Sequence, residues 1–133
     1  MWDLDKYNTE LKEDTRIDEI NLLQKQLMLP GIKHKWVARL IFAKRHLNSL
    51  NKKKKLTYVA VLASLESQNA IPPGISKTTL EKKIESSDSV QNIIQDIEDT
   101  ELIIEYLEKV ETILRSMTYD MRNITEITKL ETT

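Results

Sequence analysis

Four lysines stand side by side at Lys52 to Lys55, inside the stretch HLNSLNKKKKLTYVAVLASLES. Adjacent ammonium groups repel one another, so a folded chain keeps them together where water or a negative partner offsets the repulsion. The chemistry such a run offers is electrostatic capture of an anion, either an acidic protein surface or a phosphate backbone. The run ends a larger block. Between Ile20 and Leu65 lie ten bases (Lys25, Lys33, Lys35, Arg39, Lys44, Arg45 and Lys52 to Lys55) and no Asp or Glu. The rest of the chain carries the other ten bases and all 21 acids, a balance of −11 that the net charge of −1 conceals. A solvated helix face usually mixes signs so that i,i+4 pairs can form. An acid-free block therefore favours a polyanion partner over simple solvation.

Seven of the nine bases between residues 33 and 55 are lysine. Lysine suits contact with a phosphate backbone, whereas reading bases in a duplex groove calls for Arg, Asn or Gln at a helix start. Single strands also need aromatic platforms on which bases stack. Trp36 in KHKW, Tyr58 just after the lysines and Phe42 are the candidates. Trp36 also lies on an apolar stripe, which makes core packing the preferred role for it.

Other chemistry is scarce. His34 and His46 fall on different sides of the basic helix with no carboxylate beside them in sequence, so neither a metal site nor a general base is expected. Cysteine is absent, which excludes disulfides and thiolate chemistry and suits a reducing cytoplasm. No glycine-rich phosphate loop is present. Asp96, Glu98, Asp99 and Glu101 crowd the start of the last helix, where they would complement its dipole better than they would hold a divalent ion. These features predict a protein that is not an enzyme and uses no cofactor. The acidic start MWDLDKYNTELKED lacks the apolar core of a signal peptide, and no apolar run is long enough to span a membrane.

The elements that must position the block follow from hydrophobic spacing. With 133 residues, two glycines and three prolines, the chain is expected to be all-α, built from long helices. A first helix is predicted over residues 4–14 and a second over 18–29, with Asp14 or Asp18 as N-cap and Pro30-Gly31 as terminator. From Ile32 the apolar positions 32, 36, 40, 43, 47 and 50 form one narrow helical stripe. Lys35, Arg39 and His46 flank one side of it, Lys33 and Lys44 the other, and Arg45 points away. LTYVAVLASLES reads as continued helix, although Tyr58, Val59 and Val61 would also suit a strand. Pro72-Pro73-Gly74 marks a linker, Ser76 caps a short helix KTTLEKKIE, and SSDS at 86–89 caps the last. The expected division is a basic helical region at 1–70, a linker at 71–75 and a helical oligomerisation region at 76–133.

In that last region Val90, Ile94, Ile97, Ile104, Leu107, Val110, Leu114, Met117, Met121, Ile124 and Thr128 recur at helical steps, interrupted by Glu101. Ile93, Ile103 and Ile113 add a second edge. Such a row either fills a bundle core or pairs with another chain, and self-association is the preferred reading. Its expected contacts are Ile97, Ile104, Leu107, Val110, Leu114, Met117, Met121 and Ile124. Physics alone thus leads to an all-α oligomer that binds single-stranded nucleic acid weakly and without sequence preference, or to a scaffold whose basic patch meets an acidic protein.

With these residues in hand, the chain resembles the UvsY family, the recombination mediators of T-even-like bacteriophages. ELKEDTRID at 10–18 fits the family's E-L-K-x-D-x-x-I-D opening, and Lys35-Trp36, Lys44-Arg45 and Lys54-Lys55 follow in register. The resemblance covers residues 3–60; beyond Ser64 only the layout agrees. It implies binding of single-stranded DNA, displacement of a single-strand-binding protein, loading of a RecA-like recombinase, and a ring-shaped homo-oligomer in the cytoplasm of an infected bacterial host. The DNA contacts expected from the basic block and its aromatic neighbours are Lys33, Lys35, Trp36, Arg39, Lys44, Arg45, Lys52, Lys53, Lys54, Lys55 and Tyr58. The chain departs from the family at Val59-Ala60-Val61, where members can carry a basic-x-basic element. Lys52 and Lys53 extend the charge upstream instead.

Overall fold

The structure, a computed structural model, describes residues 2–132. Among these, four α-helices and no strand are present: α1 (Leu4–Asp14), α2 (Leu22–Ser67), α3 (Lys77–Glu85) and α4 (Asp88–Thr132). The all-α expectation holds, and the 56–63 stretch is helix. Two compact units make up the chain, one from the residues up to Ala43 together with those from Ile103 onward, the other from Lys44 to Leu102. Each long helix contributes to both units, so no cut along the sequence separates them.

The first unit is built on a single apolar cluster. Leu29, Ile32, Trp36, Leu40 and Ala43 of α2 pack with Ile103, Leu107, Val110, Leu114, Met117 and Met121 of α4, and Leu11 adds the contribution of α1. Burying each large side chain stabilises the fold by roughly 1.5–3 kcal/mol. The α4 row, whose spacing suggests pairing with another chain, is therefore consumed at home. Leu107, Val110, Leu114, Met117 and Met121 are each at most 3% exposed in the single chain. Ile97, Ile104 and Ile124 are half-buried. The sequence pattern does not assign the partner helix, because α2 carries a complementary stripe of the same period.

A second correction concerns Pro30-Gly31, which does not end a helix. α2 runs through Pro30 without interruption. An internal proline removes one backbone hydrogen bond and costs about 3 kcal/mol. Leu29 and Ile32, buried on either side, offset that cost by staying in the cluster. In the turn before α2 the Asp18 carboxylate accepts from the amides of Ile20 and Asn21 at 2.9 and 2.8 Å, and the helix begins at Leu22. Asp14 does not cap α2; it closes α1.

Ionic and aromatic contacts dock α1 on α2. Arg39 holds Glu10 with both guanidinium nitrogens, Nη1 to Oε2 at 2.6 Å and Nη2 to Oε1 at 3.1 Å. Lys35 Nζ bridges Glu10 Oε1 at 3.1 Å and Asp14 Oδ2 at 2.6 Å. The Trp36 indole donates to the same Asp14 oxygen at 2.9 Å. Tyr7 meets Trp36 edge-on at 5.7 Å, and Arg39 lies over both rings. Glu10 and Asp14 are four apart on α1, Lys35 and Arg39 four apart on α2, so one turn of each helix faces the other. Buried Lys25 completes the junction by donating to the Glu13 and Asp14 carbonyls at the end of α1.

In the second unit α2 ends in a Schellman motif. Asn69 adopts the left-handed conformation (φ 53°), its amide bonds to the Glu66 carbonyl, and the Ala70 amide reaches Leu65. Gly74, also left-handed at φ 74°, turns the linker. Ser76 caps α3 as expected, accepting from the Thr79 amide. α4 packs Val90, Ile93 and Thr100 inward. Its buried row thus passes through Thr100, whose hydroxyl is satisfied by the Asp96 carbonyl at 2.7 Å, and leaves Glu101 in solvent. Asp96 to Glu101 lie well inside α4, beyond the first turn where the dipole acts. Asp88 alone is acidic in that turn.

Both the interior of α2 and its junction with α1 can be tested by substitution. Gly31 sits in a helix interior with nothing within 4 Å of an added Cβ. Gly31→Ala should raise stability by about 0.5–1 kcal/mol in denaturant unfolding; a decrease would mean that α2 is strained there. The Glu10 carboxyl lies below its usual 4.5, chiefly because Arg39 hydrogen-bonds it, with burial opposing and Lys35 reinforcing the shift. A carboxyl depressed in the fold stabilises it above the unfolded-state value, and this contribution disappears as pH falls through the depressed one. Glu10→Gln should therefore flatten the acid limb of melting temperature against pH below about 5. Parallel curves would refute the clamp.

Candidate nucleic-acid interface

The structure divides the basic block into bases already neutralised and bases still available. Lys35 and Arg39 spend their charge on Glu10 and Asp14, and Trp36 is only 2% exposed. The Trp36 ring is packed in the core and offers no stacking platform, in agreement with its preferred role. Phe42 is half-exposed with its ring against Trp2 at 6.0 Å. Lys33 donates to the Thr118 hydroxyl at 2.8 Å. Counterions from α1 escape a reading of the sequence alone. Their signal is present in ELKEDTRID, where Glu10 and Asp14 share one helix face, opposite bases with the same four-residue spacing.

The picture differs in the second unit. There α2 is anchored by Leu50 on its inner side. Lys52, Lys53 and Lys55 are exposed, Lys54 is half-buried, and Arg45 is exposed. None of these five makes an ion pair with any described residue. At about 100° per residue, Arg45 and Lys52 share one face, with Lys55 about 60° to one side and Lys53 about 100° to the other. Lys54 points back toward the inner side. The run therefore spreads cations around most of the helix surface rather than stacking them in a line. Lys44 and His46 lie beside this face, each engaged within the fold.

Tyr58 lies one turn beyond Lys54 and lines a shallow groove with Asn51, Lys54, Lys55 and Val59. Asn51 and Val59 are additions that charge and aromaticity do not single out; they stand at i−7 and i+1 from Tyr58 on the same helix. Partial burial pushes the Tyr58 phenol above its usual value, and the charges of Glu81 and Glu85 on α3 push it further. The ring is thus neutral at physiological pH, with cations on one side and carboxylates on the other. Val59 and Leu56 remain largely exposed beside it. This surface can hold phosphates through lysine and arginine and can place a base against an aromatic or aliphatic side chain.

Among the described residues no group of three or more His, Asp or Glu side chains could hold a metal ion. No helix among them is long and apolar enough to cross a membrane.

Comparison with known proteins gives this geometry a context. The fold matches crystal structures of the bacteriophage T4 recombination mediator protein UvsY. One matches with a TM-score of 0.83 at 15% identity, covering 98% of this chain and 99% of that one. A second crystal form matches at 0.79 and 16% identity over the whole of both chains, and a third at 0.75 and 17%, covering 99% of this chain and all of that one. No curated protein sequence matches. The model of the family described as recombination, repair and ssDNA binding protein UvsY matches residues 10–133, nearly the whole chain. A chain with this fold and this family match belongs to the UvsY family.

Proposed function

We propose that this protein is a recombination mediator that binds single-stranded DNA, helps displace a single-strand-binding protein and loads a RecA-like recombinase onto the strand. The observation that carries this reading is the group Arg45, Lys52, Lys53, Lys54 and Lys55 without carboxylate partners, on a helix whose other bases are largely engaged within the fold. A cation left unpaired at a surface is free to exchange its counterions for phosphates. The contacts are to the backbone, so binding is indifferent to sequence, as a protein that must act along any strand requires. Weak, salt-sensitive contacts also allow hand-off, because each lysine can release one phosphate without disturbing the fold.

Action as a ring-shaped homo-oligomer is part of the same proposal. Copies of one basic helix pool charge, and an unpaired strand wraps a surface that no single copy provides. The joining of copies needs a face other than the expected one, since Leu107, Leu114 and Met121 are buried within the chain. Exposed Ile113, Tyr119 and Ile127 on α4 offer such a face.

Two measurements test the reading. Replacing Lys52 to Lys55 by alanine should weaken binding to an oligothymidylate and reduce the slope of log K against log salt by about 0.7 for each phosphate no longer neutralised. An unchanged slope would refute strand binding by this helix and favour a scaffold with an acidic protein partner. Sedimentation velocity at micromolar concentration should show an assembly several times the monomer mass. A compact monomer would refute the ring.

A further inference from the structure

Lys33 differs from its neighbours Lys35 and Arg39 on α2. Its side chain is half-buried, and its hydrogen-bond partner among the described residues is the neutral Thr118 hydroxyl, at 2.8 Å. Lys35 and Arg39, on the same stretch of α2, each have carboxylates. A half-buried ammonium keeps water on its open side, which an anionic partner can replace.

Beside Lys33 the surface opens into a pocket of about 180 Å³. Its floor is Trp36 and Leu40 of α2 with Leu107 and Leu114 of α4, and Val37 stands at the rim. Arg115, on the far side, shares its guanidinium with exposed Glu111 at 3.3 Å. Two cations and the Glu111 carboxylate thus border an apolar hollow. The hollow is smaller than the roughly 300–1,000 Å³ typical of small-molecule sites and suits one bulky side chain. A stacked base fits less well, because the only ring in the lining, Trp36, is nearly covered and presents no face.

We infer that this pocket docks an acidic segment of a partner protein, seating one large apolar side chain between α2 and α4 while flanking carboxylates pair with Lys33 and Arg115. The apolar anchor supplies affinity by filling a preformed hollow. The flanking carboxylates supply register and satisfy the Lys33 ammonium, which the fold leaves without a counter-charge. This site is separate from the lysine run and draws on different residues, so it stands or falls independently of strand binding.

The probe is a fluorescein-labelled peptide of eight aspartates around a central phenylalanine, with a second peptide carrying serine in its place. Fluorescence anisotropy should show the phenylalanine peptide binding about tenfold more tightly than the serine peptide, a difference of about 1.4 kcal/mol. Val37→Trp, which fills the hollow from its rim, should abolish that preference. Lys33→Glu should weaken both peptides while leaving the thermal melt unchanged. In methyl NMR spectra the phenylalanine peptide should shift Leu40, Leu107 and Leu114. Equal affinity for the two peptides, an unaltered preference in Val37→Trp, or no binding at millimolar peptide would overturn the proposal. So would shifts of these methyls on adding oligothymidylate but not peptide, which would make the pocket a nucleotide site. The variant lacking Lys52 to Lys55 should retain the phenylalanine preference whatever its DNA binding.

Discussion

One carboxylate oxygen on α1 receives both the ammonium of Lys35 and the indole N–H of Trp36, and the neighbouring Glu10 receives the fork of Arg39. Much of the rest of the structure depends on this junction. Charges placed so near an apolar core must be paired and hydrogen-bonded, or they cost several kcal/mol. Here each is paired, and the aromatic faces of Tyr7 and Trp36 cover what remains of the guanidinium. The junction fixes α1 on α2 and holds Trp36 in the cluster that joins α2 to α4. It also decides the charge pattern of the surface, because every base it uses is removed from the pool that could meet an anion.

The motif that marks the resemblance to the family has a physical meaning in this fold. ELKEDTRID supplies Glu10, Leu11 and Asp14 to the junction and Asp18 to the turn before α2, while Lys35-Trp36 supplies the other half. These residues keep their register because two helix turns must coincide, a geometric demand that does not depend on nucleic acid. The fold is shared with the T4 structures at only 15–17% identity. The departure at Val59-Ala60-Val61 is compatible with this. It lies on α2 beyond the junction, where the helix is held by Leu50 and its exposed face has no packing role to keep.

The units divide the labour of the basic block. In the first, cations serve the fold, and Lys33 is the half-buried one that lacks a carboxylate. In the second, Lys52 to Lys55 form no ion pair with any described residue. A lysine run on a helix costs stability through repulsion that water only partly screens. Its persistence beside an inner side that packs normally is what a surface selected for an external anion would look like.

Much of this was legible in the residues alone. Helix spacing, few breakers and cap residues such as Ser76 determined an all-α chain, the limits of α1 and α3, and the stripes of both long helices, because periodicity and capping are local properties. The acid-free block and the family register were equally local. Three matters needed the tertiary structure. Whether the row from Leu107 to Met121 met another chain or α2 turned on which complementary stripe lay nearby, and two stripes of one period look alike in sequence. Whether Pro30 ended a helix turned on the burial of Leu29 and Ile32, which offsets a missing hydrogen bond. Which lysines were available turned on carboxylates some 25 residues away in the chain but adjacent in space. Charge is written in the sequence; neutralisation is a distance, and only the folded chain sets it.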